Sequence, residues 1–124
     1  MGLHLKFFLA EDGTVICETT VPDTYEGPRG YAHGGIIATL LDETMSKAVR
    51  SHGVVAMTRN MEVDYRRPVP SSAPDEPKLV RLEGRVVRDE GRKHWAEARV
   101  LDANGIELAV SKALFIEVKP RVSV

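Results

Sequence analysis

Helical periodicity occurs once in this chain, from about Gly34 to Ser51, and there it runs nearly all the way round. Ile36, Ile37, Ala38, Leu40, Leu41, Met45, Ala48 and Val49 cover roughly 220° of a wheel that turns by about 100° per residue. A surface helix needs an apolar stripe of only about 100°. A stripe twice as wide has to be enclosed on most sides. The narrow polar face holds Thr39, Glu43, Ser46, Lys47 and Arg50, and Gly53 stands where a glycine cap belongs.

Everything else reads as strand. Leu3 to Val21 divides into two short strands about the turn Glu11-Asp12-Gly13. A loop rich in Pro, Gly and charge runs from Pro22 to Tyr31. After the helix, Val54 to Val69 places Met57, Arg59, Met61, Val63 and Tyr65 on one parity. Lys78 to Arg88, Lys93 to Asp102 and Ile106 to Val118 follow, joined by turns at Glu90-Gly91 and Asn104-Gly105. Three consecutive strands with short turns make an antiparallel meander. With no second helix, doubly wound and α/β-barrel folds are excluded. The expected class is α+β: a curled antiparallel β-sheet wrapped around one long central helix. At 124 residues this is one domain, residues 1–124. Apolar residues on the other sheet face leave room for a second copy to cover part of it.

Charge narrows the partners. Seventeen Lys and Arg against 18 Asp and Glu leave a net charge of -1, too little basic excess for nucleic acid to be the main partner. The single cysteine, Cys17, excludes an internal disulfide framework and a thiolate zinc cluster within one chain. No apolar run approaches the ~20 residues of a membrane span. The stretch after Met1 is too short for the apolar core of a signal peptide, so the expected location is the cytoplasm.

The densest group of chemically useful residues is Gly30-Tyr31-Ala32-His33-Gly34-Gly35, with Asp42 further along the helix. Glycines at a helix start leave the first N–H groups unshielded at the positive end of the dipole. Such amides bind an anion or a developing oxyanion; equally, the pair permits a tight turn into a packed helix. His33 either polarises a carbonyl or bonds to backbone. Asp42 lies at the edge of the apolar arc near Ala38 and Val49, whereas Glu43 lies in the polar stripe. A carboxylate at an apolar boundary is the better candidate for base or nucleophile, the other reading being a carboxylate bonded to backbone or water. Thr58, at the start of the next strand, suits a hydrogen bond to a catalytic carboxylate or water. Arg66 and Arg67, and the cluster Arg85, Arg88, Arg92 and Lys93, suit phosphate groups or serve as edge-strand charge. Zinc-ligand spacing, a Gly-Lys-Ser/Thr phosphate loop and a G-x-S-x-G motif are all missing.

The run Gly30 to Glu43 resembles the His-Gly-Gly…Asp helix motif of hotdog-fold acyl-CoA thioesterases of the phenylacetate-degradation type. Met57 to Val69 is similar to that family's second strand, and Arg92 to Trp95 and Gly105 to Phe115 to its later ones. The resemblance covers nearly the whole chain. It implies a hotdog fold, homodimers paired into dimers of dimers, and active sites between subunits. It also implies that Gly34 N–H polarises a thioester carbonyl, with His33 assisting and Gly35 supporting the helix start. Asp42 of the partner would be nucleophile or base for water, with Thr58 beside it. Apart from the motif, Arg66, Arg67 and Arg92 are expected to meet such a substrate, because Arg suits the phosphates of a nucleotide-tailed thioester. No cofactor is implied, because coenzyme A is part of the substrate. One departure is Gly27, where some relatives carry Asn six residues before the His. That difference is why a non-catalytic acyl-CoA or acyl-carrier binding module on the same fold is the alternative; a lyase or dehydratase needs an Asp–His pairing in a different motif.

Overall fold

A computed structural model describes residues 5–118. Leu3 and His4, at the start of the first predicted strand, lie outside the described residues. The elements are β1 (Phe8–Leu9), β2 (Val15–Thr20), a short 3-10 turn (Asp23–Tyr25), α1 (Gly34–Arg50), β3 (Ala56–Tyr65), β4 (Leu79–Glu90), β5 (Lys93–Leu101) and β6 (Glu107–Glu117). They form one antiparallel six-stranded sheet in the order β1-β2-β4-β5-β6-β3.

The sheet curls around α1, which meets β2 through β6. Ile36, Ile37, Leu40, Leu41, Met45, Ala48 and Val49 are buried, so the wide apolar arc is enclosed as its width required. Thr44 extends that arc: it is fully buried, and its hydroxyl donates to the Leu40 carbonyl at 2.7 Å. This local bond hides the polar atom and leaves only the methyl to pack. The opposing sheet face supplies Cys17, Val80, Leu82, Ala96, Ala98, Val100, Ala109, Ala113 and Phe115. Burial pushes the Cys17 thiol pKa up, which makes it a packing residue and not a nucleophile.

The expectation of one continuous parity along β3 is wrong. The β3–β6 register shifts between Thr58 and Asn60, leaving Arg59 as an extra residue. Thr58, opposite Phe115, therefore shares the helix-facing side with Met61 and Val63, while Met57 points away and is 68% exposed. A second bulge between Val86 and Arg88 brings Asp89 opposite the buried His94. Each bulge re-aims the side chains on one side of it.

The outer sheet face is more charged than expected. A chain of ion pairs links Arg81–Glu83 (2.7 Å), Glu83–Arg99 (2.8 Å), Arg99–Glu107 (3.1 Å), Glu107–Arg66 (2.7 Å) and Arg66–Asp64 (3.1 Å). It lies in a broad groove of about 980 Å³. Among the described residues no helix is long and apolar enough to cross a membrane.

Candidate active site

The Pro22–Tyr31 loop is fastened on both sides before α1 begins. His33 N–H donates to the Tyr25 carbonyl at 2.9 Å, Ala32 N–H to the Val69 carbonyl at 2.8 Å, and Gly27 N–H to the Tyr31 carbonyl at 3.0 Å. Position 27 lies directly against His33: a Cβ there would sit 3.1 Å from His33 Cβ and 3.2 Å from His33 Cα. An Asn could enter only if the loop moved, which gives a steric reason for the glycine.

His33 is the N-cap of α1. Its Nδ1 accepts from Gly35 N–H at 2.9 Å and from Ile36 N–H at 3.3 Å. An imidazole in the place usually held by Ser or Asp has a chemical consequence. A nitrogen that accepts from two amides carries no proton, so the ring is the neutral tautomer with its proton on Nε2. The cap also accounts for Gly35. A Cβ there would fall 2.5 Å from His33 Cε1 and 3.1 Å from Nδ1, so any side chain would expel the ring.

Capping in this way leaves one amide of the first turn unused. Among the described residues, no acceptor lies within hydrogen-bond range of Gly34 N–H. It stands at the positive end of the helix. Beside the cap a pocket of about 410 Å³ is lined by Thr24, Tyr25, Glu26, His33, Gly35, Ile36 and Thr39.

Asp42 projects from the middle of the helix. It is half-buried, and its Oδ1 accepts from the Thr58 hydroxyl at 2.7 Å. With Arg59 as the extra residue, Thr58 shares the helix-facing side with Met61 and Val63. Gly34 and Asp42 are eight residues apart, about 12 Å along the helix axis. Within one chain they cannot touch the same carbonyl.

The arginines divide. Arg66 is held by Asp64 and Glu107 on the outer sheet face, at the helix N-terminal end of the molecule. Arg67 is exposed at the same end, its backbone N–H bonded to the Leu108 carbonyl at 2.9 Å. Arg92 is at the opposite end, where Nε and Nη2 donate to the Glu117 carbonyl at 3.2 and 2.8 Å. The fold does not bring Arg92 to Gly34 of its own chain. Sequence reasoning missed the pocket wall at Thr24, Tyr25 and Glu26, which sits in a loop without periodicity. It also assigned no role to Tyr65, whose hydroxyl donates to the Gly34 carbonyl at 3.0 Å.

A second polar cluster joins the C-terminal end of α1 to the sheet. His94 Nδ1 lies 2.5 Å from Asp89 Oδ1 and Nε2 lies 3.3 Å from Glu117 Oε2, while His52 Nδ1 lies 3.1 Å from Asp89 Oδ2. Burial alone would lower the His94 pKa, but its bonds to Asp89 and Glu117 outweigh burial and raise it. The bond from His94 holds the Asp89 carboxyl below its ordinary range, with His52 adding to the effect. The acceptors flank opposite sides of the His94 ring and do not converge on a point. Among the described residues no group of three or more His, Cys, Asp or Glu is placed to hold a metal ion.

A family model described as the thioesterase superfamily matches residues 29–109, from the loop before His33 into the last strand. The chain belongs to the thioesterase superfamily. It is 33% identical over 119 residues to acyl-coenzyme A thioesterase THEM4 of Xenopus laevis, covering 94% of this chain and 51% of the relative. To the THEM4 of Rattus norvegicus it is 32% identical over 118 residues, covering 94% and 49%. The chain thus spans about half the length of these curated relatives. Among solved structures, Smu.793 from Streptococcus mutans bound to acetyl CoA superposes with a TM-score of 0.84 at 24% identity, covering 98% of this chain and 94% of that one. The E. coli PaaI protein of the phenylacetic acid degradation operon superposes with a TM-score of 0.82 at 14% identity, covering 96% and 83%. At these identities the structural matches establish the fold, and the hotdog architecture expected from the helix motif is the one observed.

Proposed function

We propose that this superfamily member hydrolyses an acyl-CoA thioester to a free acid and coenzyme A, at a site completed by a second copy of the chain. The observation that carries the reading is the division of labour along α1. An unused Gly34 N–H and a fixed His33 Nε2–H stand at its start, and a carboxylate braced by Thr58 stands about 12 Å further on. A single carbonyl cannot use both ends of one helix, but it can use the start of one helix and the middle of another.

The edge strand supports that pairing. β3 is the outermost strand on its side of the sheet and is long, with Met57 and Tyr65 exposed. An uncovered edge of this length invites another strand. Antiparallel pairing of β3 with its own copy about a two-fold axis sets the Thr58 end of one strand beside the Tyr65 end of the other. Asp42 then approaches the partner's helix start. Pairing of two such dimers through the outer sheet faces, with their alternating charges, completes the proposed assembly.

In the proposed reaction the thioester oxygen accepts from Gly34 N–H, with His33 Nε2–H at the same end. Asp42 of the partner takes a proton from water as the water oxygen bonds to the carbonyl carbon. The tetrahedral oxyanion is held by the donors already in place. Its collapse breaks the C–S bond, and the thiolate of coenzyme A takes up a proton. Direct attack by Asp42, followed by hydrolysis of the anhydride, uses the same geometry. No cofactor is required, since coenzyme A is part of the substrate. Arg66 and Arg67 are both exposed near the helix start, but of the two only Arg66 is held in ion pairs among the described residues, and we assign Arg67 to the nucleotide end. Arg66, with its two carboxylate partners, is less free to meet a phosphate, and Arg92 can reach a substrate only on another copy. The names of the THEM4 relatives and the acetyl CoA bound by Smu.793 support the substrate class.

The test is release of free thiol from a panel of acyl-CoA esters, followed with a thiol-trapping dye. Turnover that disappears in Asp42→Ala supports the reading. Wild-type turnover no greater than that of Asp42→Ala overturns it, and ligand-induced stabilisation without turnover would identify the binding module that Gly27 raised as the alternative.

A further inference from the structure

Tyr65 closes β3 and is half exposed, yet its hydroxyl is spent on the Gly34 carbonyl at 3.0 Å. Its ring is also the side chain nearest to Gly34: a Cβ built there would meet Cε1, Cζ and Oη at 3.8 Å. In an α-helix the carbonyl of residue 34 accepts from the N–H of residue 38. It does not need Tyr65 to satisfy it. The Gly34 carbonyl, however, belongs to the same peptide unit as the Gly35 N–H, which donates to His33 Nδ1 at 2.9 Å. The bonds therefore run in one direction, from the Tyr65 hydroxyl through the Gly34–Gly35 peptide to the His33 imidazole.

We propose that Tyr65 is a positioning residue that acts on the site through this relay, strengthening His33 Nε2–H as the donor facing the thioester. The inference rests on the reading of His33 and Gly34 as thioester-facing groups. A donor on the peptide oxygen withdraws charge from that peptide and sharpens its N–H. The sharper N–H grips the Nδ1 lone pair more firmly, fixes the ring plane and draws electron density from the imidazole. The proton on Nε2 becomes the better donor. Tyr65 itself touches no reacting atom, and the relay needs no proton to move along it.

Two measurements on the full chain separate the relay from mere packing. The first uses no substrate: the 15N shifts of His33 in histidine-labelled protein. Tyr65→Phe moves the Nδ1 resonance toward that of an imidazole without a hydrogen-bond donor, and 3-fluorotyrosine at position 65, a stronger donor of similar shape, moves it the opposite way. Unchanged His33 shifts in both variants overturn the proposal. The fluorinated variant keeps the test usable if Tyr65→Phe folds poorly.

The second is a double-mutant cycle with acyl-CoA substrates. Tyr65→Phe lowers kcat about threefold to tenfold with KM nearly unchanged, the scale of one hydrogen bond. In a His33→Ala background the same change has no further effect. An equal loss with and without His33 assigns Tyr65 to packing and overturns the relay. Should wild type turn over no thioester, the functional reading fails while the nitrogen shifts still decide whether the relay exists.

Discussion

Gly34 and Gly35 are neighbours with different reasons to lack a side chain. Gly34 has room, since the nearest atoms to a built Cβ are at 3.8 Å. It is also the first residue of α1, preceded by a His33 backbone at φ -73°, ψ 147° that suits a residue before proline. Gly34→Pro therefore deletes the unused N–H and keeps the helix. We expect a nearly unchanged melting temperature with kcat lowered about 10²- to 10³-fold, the loss seen when one oxyanion donor is removed. Thermal melts and thiol-release assays on one preparation check both halves. Gly35→Ala behaves oppositely: its methyl meets the His33 ring at 2.5 Å. We expect the cap to be lost, at a cost of about 1 kcal/mol in stability, with activity falling as the ring leaves. Denaturant unfolding of Gly35→Ala beside Gly34→Ala measures the difference, and equal stability of the two would contradict it.

At the scale of elements, the two bulges do more than curve the sheet. With Arg59 as the extra residue Thr58 meets Asp42, and with Val87 as the extra residue Asp89 meets His94. Deleting Arg59 restores simple alternation with Thr58 still opposite Phe115, on the helix-facing side. We expect the deletion to keep activity well above that of Thr58→Val, with the sheet pairing intact by amide hydrogen exchange of β4 to β6; a fall to the Thr58→Val level would contradict the register argument. The Asp89–His94–Glu117 cluster ties the β4–β5 hairpin to the end of β6, with His52 adding the end of α1. His94 has a raised pKa in the fold, so its contribution is complete below the ordinary histidine value of 6.5 and fades as pH rises through the raised value. Asp89 has a lowered pKa, so its contribution is complete above 3.8 and fades as pH falls through the lowered value. Both act together between 3.8 and 6.5. Melting temperature across that range and up to pH 8 should decline on the alkaline side, and His94→Gln should remove that decline. A variant profile parallel to wild type would sink this account.

For the whole molecule the central expectation is complementation. In a two-fold dimer each proposed site takes Gly34 from one copy and Asp42 from the other. Gly34→Pro and Asp42→Ala homodimers have no complete site, but a dimer holding one of each has one. Unfolding the two variants together and refolding them should return about one quarter of wild-type activity, because about half of the dimers are mixed and each carries one of two sites. Activity that stays at the level of the separate variants, or a stable active monomer in size-exclusion chromatography, would rule out a shared site.

The enclosed helix, the meander and the glycine-rich helix start after His33 were legible in the sequence. Each depends on local spacing: a 3.6-residue period, turn residues at fixed offsets, glycines at a helix start. The helix motif was enough to place the chain in its fold. What the linear chain left open depends on contacts between residues far apart. Thr44 reads as polar until its hydroxyl is seen bonded one turn back, and a bulge leaves no mark on alternation because an inserted residue looks like any other. Tyr65 reads as one more strand aromatic until the curl of the sheet sets it against the start of a helix 31 residues away in the chain. Whether an arginine such as Arg66 or Arg92 is free or held is likewise decided by which acceptors the folded sheet brings to it. Local backbone preference determines the elements and the motif. Long-range packing determines which side chains meet across the sheet, and so which atoms face the site.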